Sequence, residues 1–194
     1  MKKIYPFILC FLIFAQHITA QCENGRFHNF VFSGSKVTSD IAYGSNLKYD
    51  GKPQTLLMDI YEPTGDPASK RPLIIMAHGG SFLGGSKTGN DIVPLCKDLA
   101  KLGYVVASIE YRLGMLNFPF MDSVSAAAAV LRGVHDGRAA VRYFRKNIET
   151  GGNTYKIDID NIYFGGSSAG GFISLHIAYL DEKSEFPGYV DTLK

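Results

Sequence analysis

An α/β fold built on a largely parallel sheet is predicted by three features of the sequence. From residue 37 onward, short β-like runs alternate with stretches of helical period, the sign of strands joined by helical crossovers. One of the runs, Leu73 to Ala77, is continuously apolar, as strands covered on both faces are, and Tyr104 to Ile109 reads as a second buried strand. Two glycine-rich turns, His78-Gly79-Gly80 and Gly165 to Gly171, each follow directly on an apolar run. The C-terminal ends of strands are where open α/β sheets gather their ligands.

The elements follow in order. Lys2 and Lys3 precede an apolar stretch from Ile4 to Ala15, and Thr19-Ala20 leads into Gln21-Cys22. This pattern predicts a secretory signal peptide over residues 1–20, cleaved after Ala20, and a secreted or periplasmic mature protein. The apolar stretch is short of the roughly 20 residues a bilayer-spanning helix needs, so no membrane span is expected. Lipid attachment at Cys22 is the lesser alternative, because Gln21 is bulky where lipoprotein signals carry a small residue. Residues 21–36 read as an N-terminal extension and 37–194 as one α/β domain, incomplete at its C-terminal end.

Leu56 to Tyr61 alternates as a half-buried strand and ends at Pro63. Thr64-Gly65-Asp66-Pro67 is a turn by composition, and Leu73 to Ala77 is the first fully covered strand. A helix is predicted from about Asp91 to Leu102, closed by Gly103, then the strand Tyr104 to Ile109 leading into Glu110-Tyr111-Arg112. From about Ser123 to Asn147 the spacing of Val130, Val134, Val141 and Phe144 predicts a long helix, with Arg132, Arg142, Arg145 and Lys146 on a solvated face. Gly151-Gly152-Asn153 ends it. Ile162 to Phe164 reads as a third buried strand, and a helix runs from the following turn through Tyr179.

The chain has 194 residues, 46% hydrophobic and 20% charged, which suits one real core. Its formal net charge is +2 with no clustered basic face, so nucleic acid is not an expected partner. No cofactor and no metal site are expected. Loss of Cys10 with the signal would leave Cys22 and Cys96, which could pair in an exporting compartment. Cys96 also lies in an Ile92, Leu95, Cys96, Leu99, Leu102 pattern that places it on the buried face of its helix, where a free thiol packs as a small hydrophobe.

Gly166-Ser167-Ser168-Ala169-Gly170 matches G-x-S-x-G and sits between a strand and a helix, the context in which that pattern makes a nucleophile elbow. The glycines allow a tight turn that lifts the Ser168 hydroxyl clear of the sheet. The free N–H groups at the start of the helix allow the Ala169 amide to donate to a developing oxyanion. His78-Gly79-Gly80-Ser81-Phe82 can supply the other half of that oxyanion hole through its backbone. Gly-Lys-Ser/Thr is absent from the elbow and the glycine spacing does not fit a dinucleotide fingerprint.

On these residues, together with Tyr111-Arg112-Leu113-Gly114, Asp136 to Tyr143 and Ile157 to Ile162, the chain resembles the α/β-hydrolase carboxylesterases, in particular hormone-sensitive-lipase-like and related bacterial secreted esterases. The resemblance runs from about residue 55 to 180. It implies an α/β-hydrolase fold, Ser168 as nucleophile, and the amides of Gly79, Gly80 and Ala169 as oxyanion hole. It also suggests Phe82 and Phe118 as substrate contacts, from their motif and from the apolar Met115 to Met121 segment. Ser81 stands where many members have a third glycine, and Ser167 where an acidic residue is usual. The implied substrate is a small-molecule or carbohydrate-linked ester.

The resembled fold places its triad acid and histidine after the nucleophile. Only His176 follows Ser168, and eight helical residues rise by about 12 Å, too far for a hydrogen bond. The expectation is therefore that the triad acid and His lie beyond Lys194, the C-terminal part of the fold being missing here, with His78 and His135 as the alternative bases. A non-catalytic binding module on a hydrolase-like core, or a phosphate- or nucleotide-binding α/β domain, would be the competing functions.

Overall fold

The computed structural model describes residues 25–115, 122–180, 182 and 185. Among these residues five strands form one sheet, β1 (Ser35–Leu47), β2 (Pro53–Pro63), β3 (Arg71–Ala77), β4 (Val105–Ile109) and β5 (Ile157–Gly166), in the order β1-β2-β4-β3-β5. Among the described residues three helices accompany them: α1 (Val93–Leu102), α2 (Ser123–Thr150) and α3 (Ala169–Tyr179). The strands β4, β3 and β5 are parallel, as expected, while β1 and β2 form an antiparallel hairpin and β2 runs antiparallel to β4. The hairpin strand β1 was not foreshadowed. Its burial alternates weakly and it carries a bulge after Thr38, so its apolar residues do not form a clear period-two row.

The period of two in the central strands sorts their side chains between the faces. Leu73, Ile75 and Ala77 of β3, with Val105, Ala107 and Ile109 of β4, enter the larger core under α2 and α3. Met76 and Val106 point the other way, onto Ile92, Cys96 and Ala100 beside and within α1. Cys96 is accordingly a fully buried free thiol, pushed up by burial to about 12. Cys22 lies outside the described residues, as does the expected signal segment.

Two strands differ from the sequence reading. β2 was expected to be half buried, yet Leu56, Met58, Asp59, Ile60 and Tyr61 are all buried. Asp59, on what should be the wet face, is covered because the Lys87 ammonium reaches it at 2.7 Å. Ile162 to Phe164 was expected to be a fully buried strand, yet Tyr163 is 51% exposed and its neighbours are half buried. Among the described residues β5 pairs with β3 alone, so it forms an edge of the sheet.

α2 starts at Asp122, whose side chain accepts the Ser125 N–H at 2.7 Å. It approaches α3 closely through Gly133 and Gly137. A β-carbon on Gly133 would lie 2.6 Å from Ile173 Cδ1, and one on Gly137 2.5 Å from Ile177 Cδ1. Neither helix could sit so close with larger residues there. Arg132, assigned by its charge to a solvated face, is buried instead, with its guanidinium donating to Gly114 O at 2.7 Å.

The end of β4 is tied to α2 by a buried pair. Arg112 Nε lies 3.0 Å from both Asp136 oxygens, its Nη2 lies 2.8 Å from Oδ1, and its backbone N–H donates to Oδ2 at 2.8 Å. Burial pushes the Asp136 carboxyl up from its ordinary value, against the opposite pull of Arg112. Removing the acid would leave a guanidinium that is 5% exposed with no counter-charge at contact distance. Asp136→Ala should thus cost about 3–5 kcal/mol of stability, seen as a lower urea midpoint. A midpoint unchanged from wild type would show that Arg112 is adequately held by Leu47 O and Arg132 O alone.

Candidate active site

β3 and β5 lie side by side in parallel, with Ala77 opposite Gly166, so the turns that leave their C-terminal ends are neighbours. This register brings the two glycine-rich motifs together. A β-carbon on Gly170 would lie 2.1 Å from Ala77 O and 3.0 Å from His78 O, and one on Gly166 would lie 2.4 Å from the Gly170 carbonyl carbon. Both glycines are therefore required by close approach of backbone to backbone. The Ser167 N–H donates to Ala77 O at 3.1 Å, closing the seam.

Ser168 sits at the apex with φ 47° and ψ −109°, a conformation that a residue with a side chain rarely adopts. It is exposed, caps no amide of α3 with its side chain, and borders an open groove of about 470 Å³ with Gly165, Gly166, Gly171, Phe172, Ser174 and Leu175. The next residue, Ala169, is the first of α3, so its amide has no acceptor within the helix. The strained elbow, the outward serine and the free amide are the arrangement anticipated from G-x-S-x-G.

On the facing loop, His78 is fully buried and its ring stacks on Tyr111 with centroids 4.3 Å apart. Its Nδ1 lies 2.6 Å from Gly79 O. A carbonyl can only accept, so Nδ1 carries the proton. The Tyr111 hydroxyl donates to His78 O at 2.9 Å. Burial, then the charges of Asp91 and Glu110, raise the phenol's pKa, so it stays a donor across the neutral range. Ser81 and Phe82 both have positive φ, 54° and 58°, and Gly80 has φ 117° at a place where a β-carbon would clash with Gly84 O. The loop is thus a tight left-handed turn.

The expected roles on this loop divide. The Gly79 amide, anticipated as an oxyanion donor, is taken by the Asp91 carboxylate, with N–H to Oδ2 at 2.8 Å. Among the described residues the amides of Gly80 and Ser81 have no backbone acceptor. Phe82, anticipated as a substrate contact, is 4% exposed and belongs to the core, its ring edge-on to Tyr111 at 5.9 Å and 3.6 Å from the place of a Gly133 β-carbon. Its positive φ turns the side chain inward, which a motif alone does not show. Its carbonyl accepts the N–H groups of Gly114 and Met115, at 2.8 and 3.2 Å, and so ties the loop to the chain after β4. Phe118 lies outside the described residues.

His176 Nδ1 lies 2.7 Å from Phe172 O, one turn back along α3. His135 lies on α2, where burial first and then Arg112, Arg138 and Arg142 lower its pKa. Among the described residues no group of three or more His, Cys, Asp or Glu is placed to hold a metal ion, and no helix is long and apolar enough to cross a membrane.

Comparison with known proteins matches this architecture. The BD-FAE family profile covers residues 58–194, the span that holds both motifs. Mouse pyrethroid hydrolase Ces2a is 34% identical over 137 residues, 70% of this chain and 23% of its own length. A bacterial heroin esterase structure superposes with a TM-score of 0.51 at 27% identity, over 77% of this chain and 39% of that one. Brefeldin A esterase, a bacterial homologue of human hormone-sensitive lipase, superposes with a TM-score of 0.53 over 81% of this chain and 37% of that one, sharing the fold at 20% identity. The chain spans about a quarter of the length of the curated relatives it matches. With its sheet order, its elbow and the match over residues 58–194, the chain belongs to the BD-FAE family, esterases and lipases of the α/β-hydrolase type.

Proposed function

We propose that this protein hydrolyses carboxylic esters through an acyl-enzyme on Ser168, with small-molecule or carbohydrate-linked esters as substrates. The observation that carries the reading is the pairing of the strained, outward Ser168 with unengaged amides on both sides of the seam, Ala169 on one and Gly80 and Ser81 on the other. In this reading Ser168 Oγ attacks the ester carbonyl carbon and its proton passes to a general base. The carbonyl oxygen becomes an oxyanion held by the Gly80, Ser81 and Ala169 amides, in place of the Gly79 donor expected from the motif. Collapse of the intermediate expels the alcohol, which takes up the proton. Water then releases the acid from Ser168 by the same steps in reverse order.

The general base and its acid partner are assigned to polypeptide outside the described residues. Two observations support this: the rings of His78 and His176 are hydrogen-bonded to backbone carbonyls, and the exposed Tyr163, Phe172, Leu175 and Tyr179 surround the free edge of β5 and the outer face of α3. Further sheet packed on that edge would cover them. Export is part of the same proposal, supported by Lys2, Lys3 and the apolar run ending in Thr19-Ala20, with the mature chain starting at Gln21.

Rapid-mixing hydrolysis of p-nitrophenyl acetate by the full-length protein tests the mechanism. A burst of p-nitrophenol stoichiometric with protein, or trapping of an acetylated protein by acid quench, is expected; turnover with neither, on substrates whose deacylation is slow, would contradict the covalent route. The 194-residue chain made alone is expected to show only the small residual rate that oxyanion donors give without a base, about 10³- to 10⁴-fold above water. Ordinary esterase turnover by that chain would place the base at His78 or His135.

A further inference from the structure

We propose that Asp91 is a positioning residue for the oxyanion hole, holding the Gly79-Gly80 backbone so that the Gly80 amide faces the reacting carbonyl. The inference rests on the serine-hydrolase reading above. It starts from the fact that both polar groups of Gly79 are held. Its N–H donates to Asp91 Oδ2 at 2.8 Å, and its carbonyl accepts from His78 Nδ1 at 2.6 Å. The peptide joining Gly79 to Gly80 is planar and trans, so a carbonyl fixed toward the His78 ring fixes the Gly80 N–H in the opposite direction. Asp91 controls the first of these two anchors.

The same carboxylate stands at the seam between the motifs. A β-carbon on Gly79 would lie 3.0 Å from Asp91 Oδ2 and 3.3 Å from both the carbonyl oxygen and the Oγ of Ser167, so Gly79, the elbow and Asp91 meet at one point. The other carboxylate oxygen is accommodated by a missing side chain, since a β-carbon on Gly89 would lie 2.5 Å from Asp91 Oδ1. Gly89 has that position because its N–H bonds Ser86 O at 2.9 Å and its carbonyl takes the N–H groups of Ile92 and Val93 at 3.2 and 3.0 Å.

The loop carrying Asp91 is itself anchored at its far end. Lys87 places Nζ 2.7 Å from Asp59 Oδ1 and 3.0 Å from Asp40 Oδ1. Its N–H donates to Glu110 Oε1 at 3.1 Å, and its carbonyl accepts from Ser108 Oγ at 2.7 Å. Burial would lower the Lys87 pKa, but the hydrogen bonds to Asp59 and Asp40 outweigh it and keep the ammonium charged. Asp91 is thus a solvent-exposed carboxylate on a loop fixed to the sheet, and its bond to Gly79 crosses to the catalytic loop. An exposed acid of this kind has little to contribute to the core, whereas its hydrogen bond holds the near side of Gly79, the residue whose carbonyl orients the Gly80 amide.

Asp91→Ala and Asp91→Asn in the full-length protein separate positioning from bulk structure. Asp91→Ala is expected to lower kcat by about 10- to 100-fold, less than the 10²- to 10³-fold of a donor removed outright, with KM for p-nitrophenyl acetate nearly unchanged. Asp91→Asn keeps an oxygen that accepts the same N–H and should restore most of kcat. In amide hydrogen exchange, Gly79 should lose protection in Asp91→Ala and keep it in Asp91→Asn. Wild-type kcat in Asp91→Ala, or equal loss in both variants, would overturn the inference. Absence of ester turnover from the unsubstituted protein would instead remove the reading of function beneath it.

Discussion

Ser168→Ala in the full-length protein is expected to lower kcat for p-nitrophenyl acetate by about 10⁴-fold or more, while Ser167→Ala keeps most of the activity. The asymmetry comes from the elbow. Ser168 has φ 47°, is exposed and borders the groove, whereas Ser167 Oγ packs beside Gly79 and its N–H is bonded to Ala77 O. Only the first can present its oxygen to a substrate. Steady-state kinetics on the two variants, with circular dichroism to confirm that both are folded, checks the claim. Equal loss in both would mean that the seam, and not one hydroxyl, had been disturbed.

The second large effect is expected from Gly170→Ala. Its added methyl would fall 2.1 Å from Ala77 O and 2.6 Å from Ala77 C. Those atoms are backbone of the interior strand β3 and cannot rotate away as a side chain would. The cost should exceed the usual 1–3 kcal/mol or so of overpacking in a core, and relaxation would prise α3 from the end of β3 and misplace the elbow. Activity and stability should therefore fall together. Gly171→Ala supplies the contrast, because a β-carbon there would meet nothing nearer than Gly166 O at 3.5 Å, an ordinary contact. A Gly170→Ala variant with wild-type melting and turnover would show that the seam is looser than the structure has it.

Much of this could be read in the residues, and what could not has definite physical causes. The apolar runs of β3 and β4 announce strands covered on both faces, and G-x-S-x-G announces its elbow, because both patterns are imposed by local geometry. β1 was invisible because its pairing is interrupted by bulges and its side chains are mostly exposed. The burial of Asp59 and Arg132 depended on Lys87 and Gly114, partners 28 and 18 residues away that periodicity does not identify. The same limit explains the loop. His78-Gly79-Gly80 marks a tight turn at a strand end, but which of its amides is free depends on Asp91, twelve residues further on. Phe82 looked like a wall of the site because it follows the motif, and it is core because the turn at Ser81 and Phe82 is left-handed. Gly133 and Gly137, four residues apart on α2, were the one overlooked signal that the sequence did offer for helix-to-helix contact.

The central claim, that Ser168 is the nucleophile of an ester hydrolase, is tested most directly by reacting the full-length protein with a fluorophosphonate and locating the adduct by peptide mass spectrometry. The account predicts one adduct per chain, on Ser168, abolished by Ser168→Ala and retained in Ser167→Ala. An adduct on Ser167, or ester hydrolysis by a protein that the probe does not label and does not inhibit, would contradict it.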